Sequence, residues 1–119
     1  DAGDAVLREY AQRLQAHLRA MDLACRWGGE EFLIVLPEAP VGAAAHAAER
    51  FRAAVADKPF HVANAGRDVP VTTSIGVSEF NVEDTPETLV KRADEALYAA
   101  KQSGRNQVKI KLGVQRKVA

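Results

Sequence analysis

Nowhere in the 119 residues does an apolar run approach the roughly eighteen needed to cross a bilayer, so no segment reads as a membrane span. No basic stretch followed by an apolar core opens the chain, and no signal peptide is expected. Cysteine is nearly absent. Cys25 stands alone, which excludes an internal disulfide and suggests a reducing, cytoplasmic setting, with membrane tethering of a longer parent left open. A basic surplus is missing too: Lys plus Arg number 16 and Asp plus Glu 16, so no nucleic-acid polymer is expected as partner. His17, His46 and His61 show no ligand spacing with one another or with Cys25, which argues against zinc. Internal repeats, low-complexity tracts and linkers are absent, leaving room for one domain around one core. What is present, 47% apolar and 27% charged residues, suits an ordinary globular protein.

Residues 4–20 carry Leu7, Tyr10, Ala11, Leu14 and Leu18 at three- and four-residue steps, predicting an amphipathic helix. Leu23–Trp27 and Glu31–Leu36 read as strands joined across Gly28-Gly29. The continuous run Phe32–Leu36 predicts a strand covered on both faces, with Cys25 a small core residue in its partner. A second helix is predicted at 41–56, with Ala44, Ala47, Ala48, Phe51 and Val55 on one stripe. Phe60–Ala63 and Val69–Ser78 form the arms of a hairpin about Asn64-Ala65-Gly66, the longer arm alternating Val69, Val71, Thr73, Ile75 and Val77. Thr85-Pro86 opens a third helix that Gly104 terminates, and Gln107–Lys111 adds a last strand. Segregated helices and adjacent hairpins predict an α+β layered fold with a central, mainly antiparallel sheet.

The chemistry concentrates in Arg26-Trp27-Gly28-Gly29-Glu30-Glu31-Phe32. A hairpin turn uses glycine for positive φ, and two carboxylates directly after it repel one another unless a cation arrives. Hard oxygen ligands of this kind suit magnesium, which takes one or two carboxylates together with substrate phosphates. Glycines beside them admit a phosphate or ribose close to the backbone. The plain alternative is a solvated acidic hairpin tip.

Gly28-Gly29-Glu30-Glu31-Phe32 resembles the signature of the GGDEF family, the diguanylate cyclases, in its GGEEF form. Further matches follow in the family's order: Gly3-Asp4, Arg19-x-x-Asp22, Leu36-Pro37, Ala48-Glu49-Arg50, Ser74-Ile75-Gly76-Val77, and Lys91-Arg92-Ala93-Asp94-Glu95-Ala96-Leu97-Tyr98 running on to Lys101 and Gly104-Arg105-Asn106. The resemblance implies a cyclase-palm fold related to the ferredoxin-like arrangement. Family members carry an earlier strand with a metal-binding Asp and a helix with a guanine-reading Asn. Residues 1–112 are therefore expected to form the C-terminal part of a single GGDEF catalytic domain, incomplete as a cyclase alone, with 113–119 a frayed tail.

The implied reaction condenses two GTP into cyclic di-GMP with release of pyrophosphate, on two domains facing each other in a homodimer. Two magnesium ions serve the full domain, with manganese as a substitute. By resemblance, Glu30 is the metal-binding carboxylate that favours deprotonation of the 3′-hydroxyl, and Glu31 is a supporting ligand or a nucleotide contact. Gly28 and Gly29 leave space for nucleotide, and Phe32 anchors the strand. Asp4 matches a guanine reader, its plain alternative being a helix N-cap; Lys101 and Arg105, four apart at a helix end, match the holders of the terminal phosphates. Arg19, Asp22 and Arg50 match an inhibitory site for cyclic di-GMP, against the alternative of a surface ion pair. A regulatory domain N-terminal to such a module is expected in a parent chain. The competing reading is a catalytically silent module that acts as a receptor for cyclic di-GMP or GTP.

Overall fold

The computed structural model describes residues 2–62 and 66–113. Among them the chain forms α1 (Ala2–Gln15), β1 (Leu23–Gly28), β2 (Glu31–Val35), α2 (Val41–Asp57), β3 (Phe60–Val62), β4 (Arg67–Val69), β5 (Ile75–Val77), α3 (Pro86–Gln102) and β6 (Val108–Ile110). The helix–strand order follows the sequence pattern. The long hairpin arm is the exception, because Pro70 has no N–H for a ladder and β4 stops at Val69. The strand resumes at Ile75 in a different pair. The turn expected at residues 64–66 lies, apart from Gly66, outside the described residues, as does the expected tail beyond Gly113.

Strands associate two by two. β1 with β2 and β3 with β4 are antiparallel, whereas β5 and β6 are parallel, since α3 connects them and returns the chain to its starting end. The core joins Leu14 of α1, Phe51 and Val55 of α2 and Phe60 of β3, with Val6, Tyr10, Leu18, Ala24, Phe32, Ile34, Val71 and Ile75 packed against them. Tyr10, partly buried, bridges to it, with its ring 5.1 Å from Phe32 and 5.3 Å, edge-on, from Phe51. Its hydroxyl bonds Thr73 Oγ1 at 2.7 Å, and burial raises its pKa.

Three further expectations are overturned. Helix α1 ends at Gln15, not near residue 20: His17 and Leu18 bond back to the carbonyls of Leu14 and Gln15 in a tighter turn. Asp22 then accepts the Arg19 N–H at 2.7 Å, offering that backbone a partner outside a helix. The β1–β2 hairpin, in turn, is covered on one face only. Ala24, Phe32 and Ile34 point to the core, while the opposite face leaves Leu23 65%, Trp27 58% and Val35 48% exposed, with Cys25 exposed among them rather than buried. The pleat sends alternate residues to opposite faces, and only one face meets α1 and α2.

Helix α3 is the best-bounded element. Thr85 and Thr88 form a reciprocal capping box and Pro86 opens the first turn. Arg92 is buried, and its guanidinium donates to both oxygens of Asp84 (2.9 and 2.7 Å) and to the Glu79 carbonyl (2.7 Å), tying the β5–α3 connection to the helix. Arg13 of α1 does the same for α2. Its Nη1 donates to the carbonyls of Val55 (3.0 Å) and Lys58 (2.7 Å), its Nη2 to that of Pro59, and its guanidinium lies 4.0 Å over the Phe60 ring. Among the described residues no helix is long and apolar enough to cross a membrane.

Candidate functional site

The β1–β2 hairpin presents Gly29 and Glu30 as its two-residue connection, with Gly28 opposite Glu31 and an irregularity in register at Trp27. Arg26 fixes the turn by donating from Nε (2.9 Å) and Nη2 (2.7 Å) to the Gly29 carbonyl. Neither Gly28 nor Gly29 has positive φ, contrary to the expected role of glycine here; among the described residues, positive-φ glycines occur at Gly66 and Gly104. A Cβ built on Gly28 or Gly29 meets no described atom within 4 Å. Local folding thus demands glycine at neither position, and what the two residues provide is open approach to the backbone.

Glu30 and Glu31 are exposed, and neither side chain makes a hydrogen bond or ion pair with a described residue. Glu31 opens, with Trp27, onto a cavity of about 440 Å³ completed by Pro86, Glu87, Val90, Lys91 and Asp94 of α3. Three carboxylates line it, yet no three acidic, histidine or cysteine side chains among the described residues converge as a metal cage. The donor set is compatible with magnesium, which keeps several waters and completes its shell with one or two carboxylates and substrate phosphates. It does not fit an ion held by protein alone.

The other expected residues are dispersed. Asp4 is exposed in the first turn of α1, where a carboxylate favours the helix dipole; since the helix begins at Ala2, it is not the N-cap. Lys101 lies in the last turn of α3, but Arg105 lies beyond it, so helical spacing does not align the two. Gly104 at φ 114° closes the helix, with the Arg105 N–H bonded to the Ala100 carbonyl at 3.0 Å. Neither cation lines the cavity beside Glu31, where Lys91 stands instead. Arg19 and Asp22 form a fork: Nε and Nη2 reach Oδ1 at 3.0 and 2.8 Å, and Nη2 also donates to the Pro37 carbonyl at 2.8 Å. Asp22 is the covered member, its side chain 3% exposed against 49% for Arg19, and the guanidinium holds its carboxyl below the usual range. Arg50 is exposed on α2.

Sequence reasoning gave no role to Asn106, which follows Arg105, to Arg52, which bonds Asn106, or to Gln107, which bonds the Arg105 carbonyl. Arg26 it noted only as part of a pattern. The bonds that tie Asn106 to Arg52 and to Ser74 run across 54 and 32 residues, and no local spacing announces them.

Residues 1–107 match the model of the GGDEF domain of diguanylate cyclases. Response regulator PleD of Caulobacter vibrioides is 53% identical over 109 residues, and diguanylate cyclase A of Treponema denticola 44% over 108. These matches cover 91% and 90% of this chain but 24% and 29% of the relatives, so the chain spans about a quarter of their length. Among solved structures, the GGDEF domain of DgcB from Caulobacter crescentus, in complex with c-di-GMP, superposes with TM-score 0.85 at 30% identity, covering 90% of this chain and 63% of that one. The active GGEEF domain of a diguanylate cyclase from Vibrio cholerae gives 0.80 at 34%, covering 99% and 71%. The chain belongs to the diguanylate cyclase GGDEF-domain family, and its fold is the α+β cyclase-palm arrangement. Cyclases of this family depend on a metal ion.

Proposed function

We propose that residues 1–112 act as part of a single catalytic domain that condenses two GTP into cyclic di-GMP. Each 3′-oxygen attacks the α-phosphorus of the other nucleotide, the bond to the bridging oxygen breaks, and pyrophosphate leaves. Two domains must face each other for both attacks, so the active form is a dimer. The observation that carries this reading is the hairpin tip: two carboxylates without partners among the described residues, beside two glycines that neither backbone conformation nor packing requires.

Glu30 would hold the divalent ion, magnesium or manganese, with Glu31 in support. When bound, that ion neutralises phosphate charge and lowers the pKa of the attacking hydroxyl. Gly28 and Gly29 let the nucleotide lie against the backbone, and the Arg26 bonds to Gly29 keep that surface in one shape. Asp4 offers a carboxylate to the adjacent N1–H and N2–H donors of guanine. Lys101 and Arg105 neutralise the terminal phosphates. The half-exposed Arg19, oriented by Asp22, serves with Arg50 as the place where cyclic di-GMP restrains the enzyme.

Conversion of GTP to cyclic di-GMP by the full-length protein in magnesium tests the reading. Glu30→Gln should lower the rate by at least about a hundredfold, the scale of losing transition-state charge stabilisation. Arg19→Ala should keep accumulating product where the parent stalls. Undiminished turnover by the Glu30 variant overturns the assignment. A parent that binds cyclic di-GMP without any turnover is the receptor of the alternative reading.

A further inference from the structure

We propose that Arg52 and Asn106 are positioning residues for phosphate recognition, holding the turn that presents the Arg105 guanidinium. The proposal rests on the reading of Lys101 and Arg105 as contacts to the terminal phosphates. It explains how two cations that share no helical face are brought to bear on one group.

Beyond α3 the backbone runs through three successive left-handed residues: Gly104 at φ 114°, Arg105 at 64° and Asn106 at 49°. Glycine takes that conformation freely and asparagine tolerates it, but in arginine the Cβ crowds its own backbone. Such a residue persists where its surroundings over-determine it. Here they do. The Arg105 N–H is bonded to the Ala100 carbonyl, and Gln107 Nε2 donates to the carbonyls of Ser103 (2.9 Å) and Arg105 (3.1 Å). The Asn106 N–H donates to Ser74 Oγ at 3.1 Å, and Asn106 Oδ1 accepts from Arg52 Nη1 at 2.8 Å.

Arg52 comes from α2, on the far side of β5 in the sequence. Its Nε and Nη2 are taken by the Glu49 carboxylate at 2.5 to 3.0 Å, leaving Nη1 aimed at Asn106. Since guanidinium only donates, the amide oxygen must face it, which fixes the orientation of the asparagine. The charge of Arg52 is answered by Glu49, so Arg52 itself is a poor candidate for phosphate. Arg105 and Lys101 differ: neither side chain makes a hydrogen bond or ion pair with a described residue. The strained backbone therefore serves no hydrogen bond or ion pair of the Arg105 side chain among the described residues. It aims a free guanidinium outward, the group that pairs two parallel donors with phosphate oxygens.

The test compares GTP and GMP binding by the full-length protein in magnesium buffer. Arg52→Ala and Asn106→Ala should each weaken GTP binding about tenfold, the order expected on losing one hydrogen bond to a charged group, and leave GMP binding unchanged. Asn106→Asp, which keeps an acceptor and tolerates positive φ, should retain GTP affinity. Added to Arg105→Ala, Arg52→Ala should cause no further loss. Asn106→Gly relieves the backbone while removing the acceptor, so it should weaken GTP binding without loss of folding. If Arg105→Ala itself leaves GTP affinity intact, the phosphate reading falls and this inference with it. If Arg105→Ala weakens GTP binding while the Arg52 and Asn106 variants do not, or weaken GMP equally, positioning is overturned and the phosphate reading stands.

Discussion

Gly29 and Gly76 are the same residue type under opposite constraints. A methyl group at Gly29 enters open space, whereas at Gly76 it collides with the Ala93 carbonyl and the Leu97 backbone nitrogen, because β5 lies directly against α3. Gly29→Ala is thus expected to change stability by no more than about 0.5 kcal/mol while reducing GTP turnover sharply. Gly76→Ala should destabilise by about 1–3 kcal/mol, the usual result of overpacking. Denaturant midpoints and a turnover assay on both variants check the contrast. The Gly-Gly pair was legible in the sequence, but for a reason the backbone does not bear out. Cys25 shows a related limit: Leu23-Ala24-Cys25 is apolar at three successive positions, so neither face is marked and its exposure could not be read.

Among the elements, the boundaries of α2 and α3 were the easiest to read, since Pro40 and Thr85-Pro86 mark their starts and Gly104 the end of α3. The end of α1 was not, because Arg19 and Asp22 compete with a helix through bonds that no hydrophobic spacing encodes. Nor was the clasp between Asp84 and Arg92. The Arg92 guanidinium, with the Asn81 N–H and the Thr88 hydroxyl, holds the Asp84 carboxyl well below the usual carboxylate range. A carboxyl depressed in the folded state contributes stability that is complete above its unfolded pKa of about 3.9 and lost as pH falls below it. Asp22, Glu49 and Glu95 are shifted the same way by Arg19, Arg52 and Lys111, so acid stability is shared. Urea titrations of Asp84→Asn should show lower stability at pH 7 and a shallower decline between pH 5 and 2 than the parent. A decline as steep as the parent's would remove Asp84 from that account.

At the scale of the molecule, the order of helices and strands followed from the sequence, while their pairing did not. Nothing local announces that β4 leaves the course begun toward β5, or that β5 finds its parallel neighbour β6 across a whole helix. The candidate site has the same character. The acidic hairpin was visible as a contiguous motif, but the wall of its cavity comes from α3, more than fifty residues away in the chain. The two-domain reaction adds a prediction that belongs to the assembly. Specific activity of the full-length protein should fall on dilution and recover on concentration, following the dimer fraction measured by sedimentation. Activity independent of concentration while the protein sediments as a monomer would contradict it.

Arg13 has a consequence of its own. One guanidinium from α1 closes the end of α2, takes up the Pro59 carbonyl and covers the Phe60 ring, so two stretches distant in sequence, α1 and residues 55–60, share a single latch. Opening either one frees the other. Amide protons in the last turn of α2, in β3 and in the last turn of α1 should therefore exchange with deuterium at one common rate, as a cooperative unit, and Arg13→Ala should split that unit into independently exchanging parts.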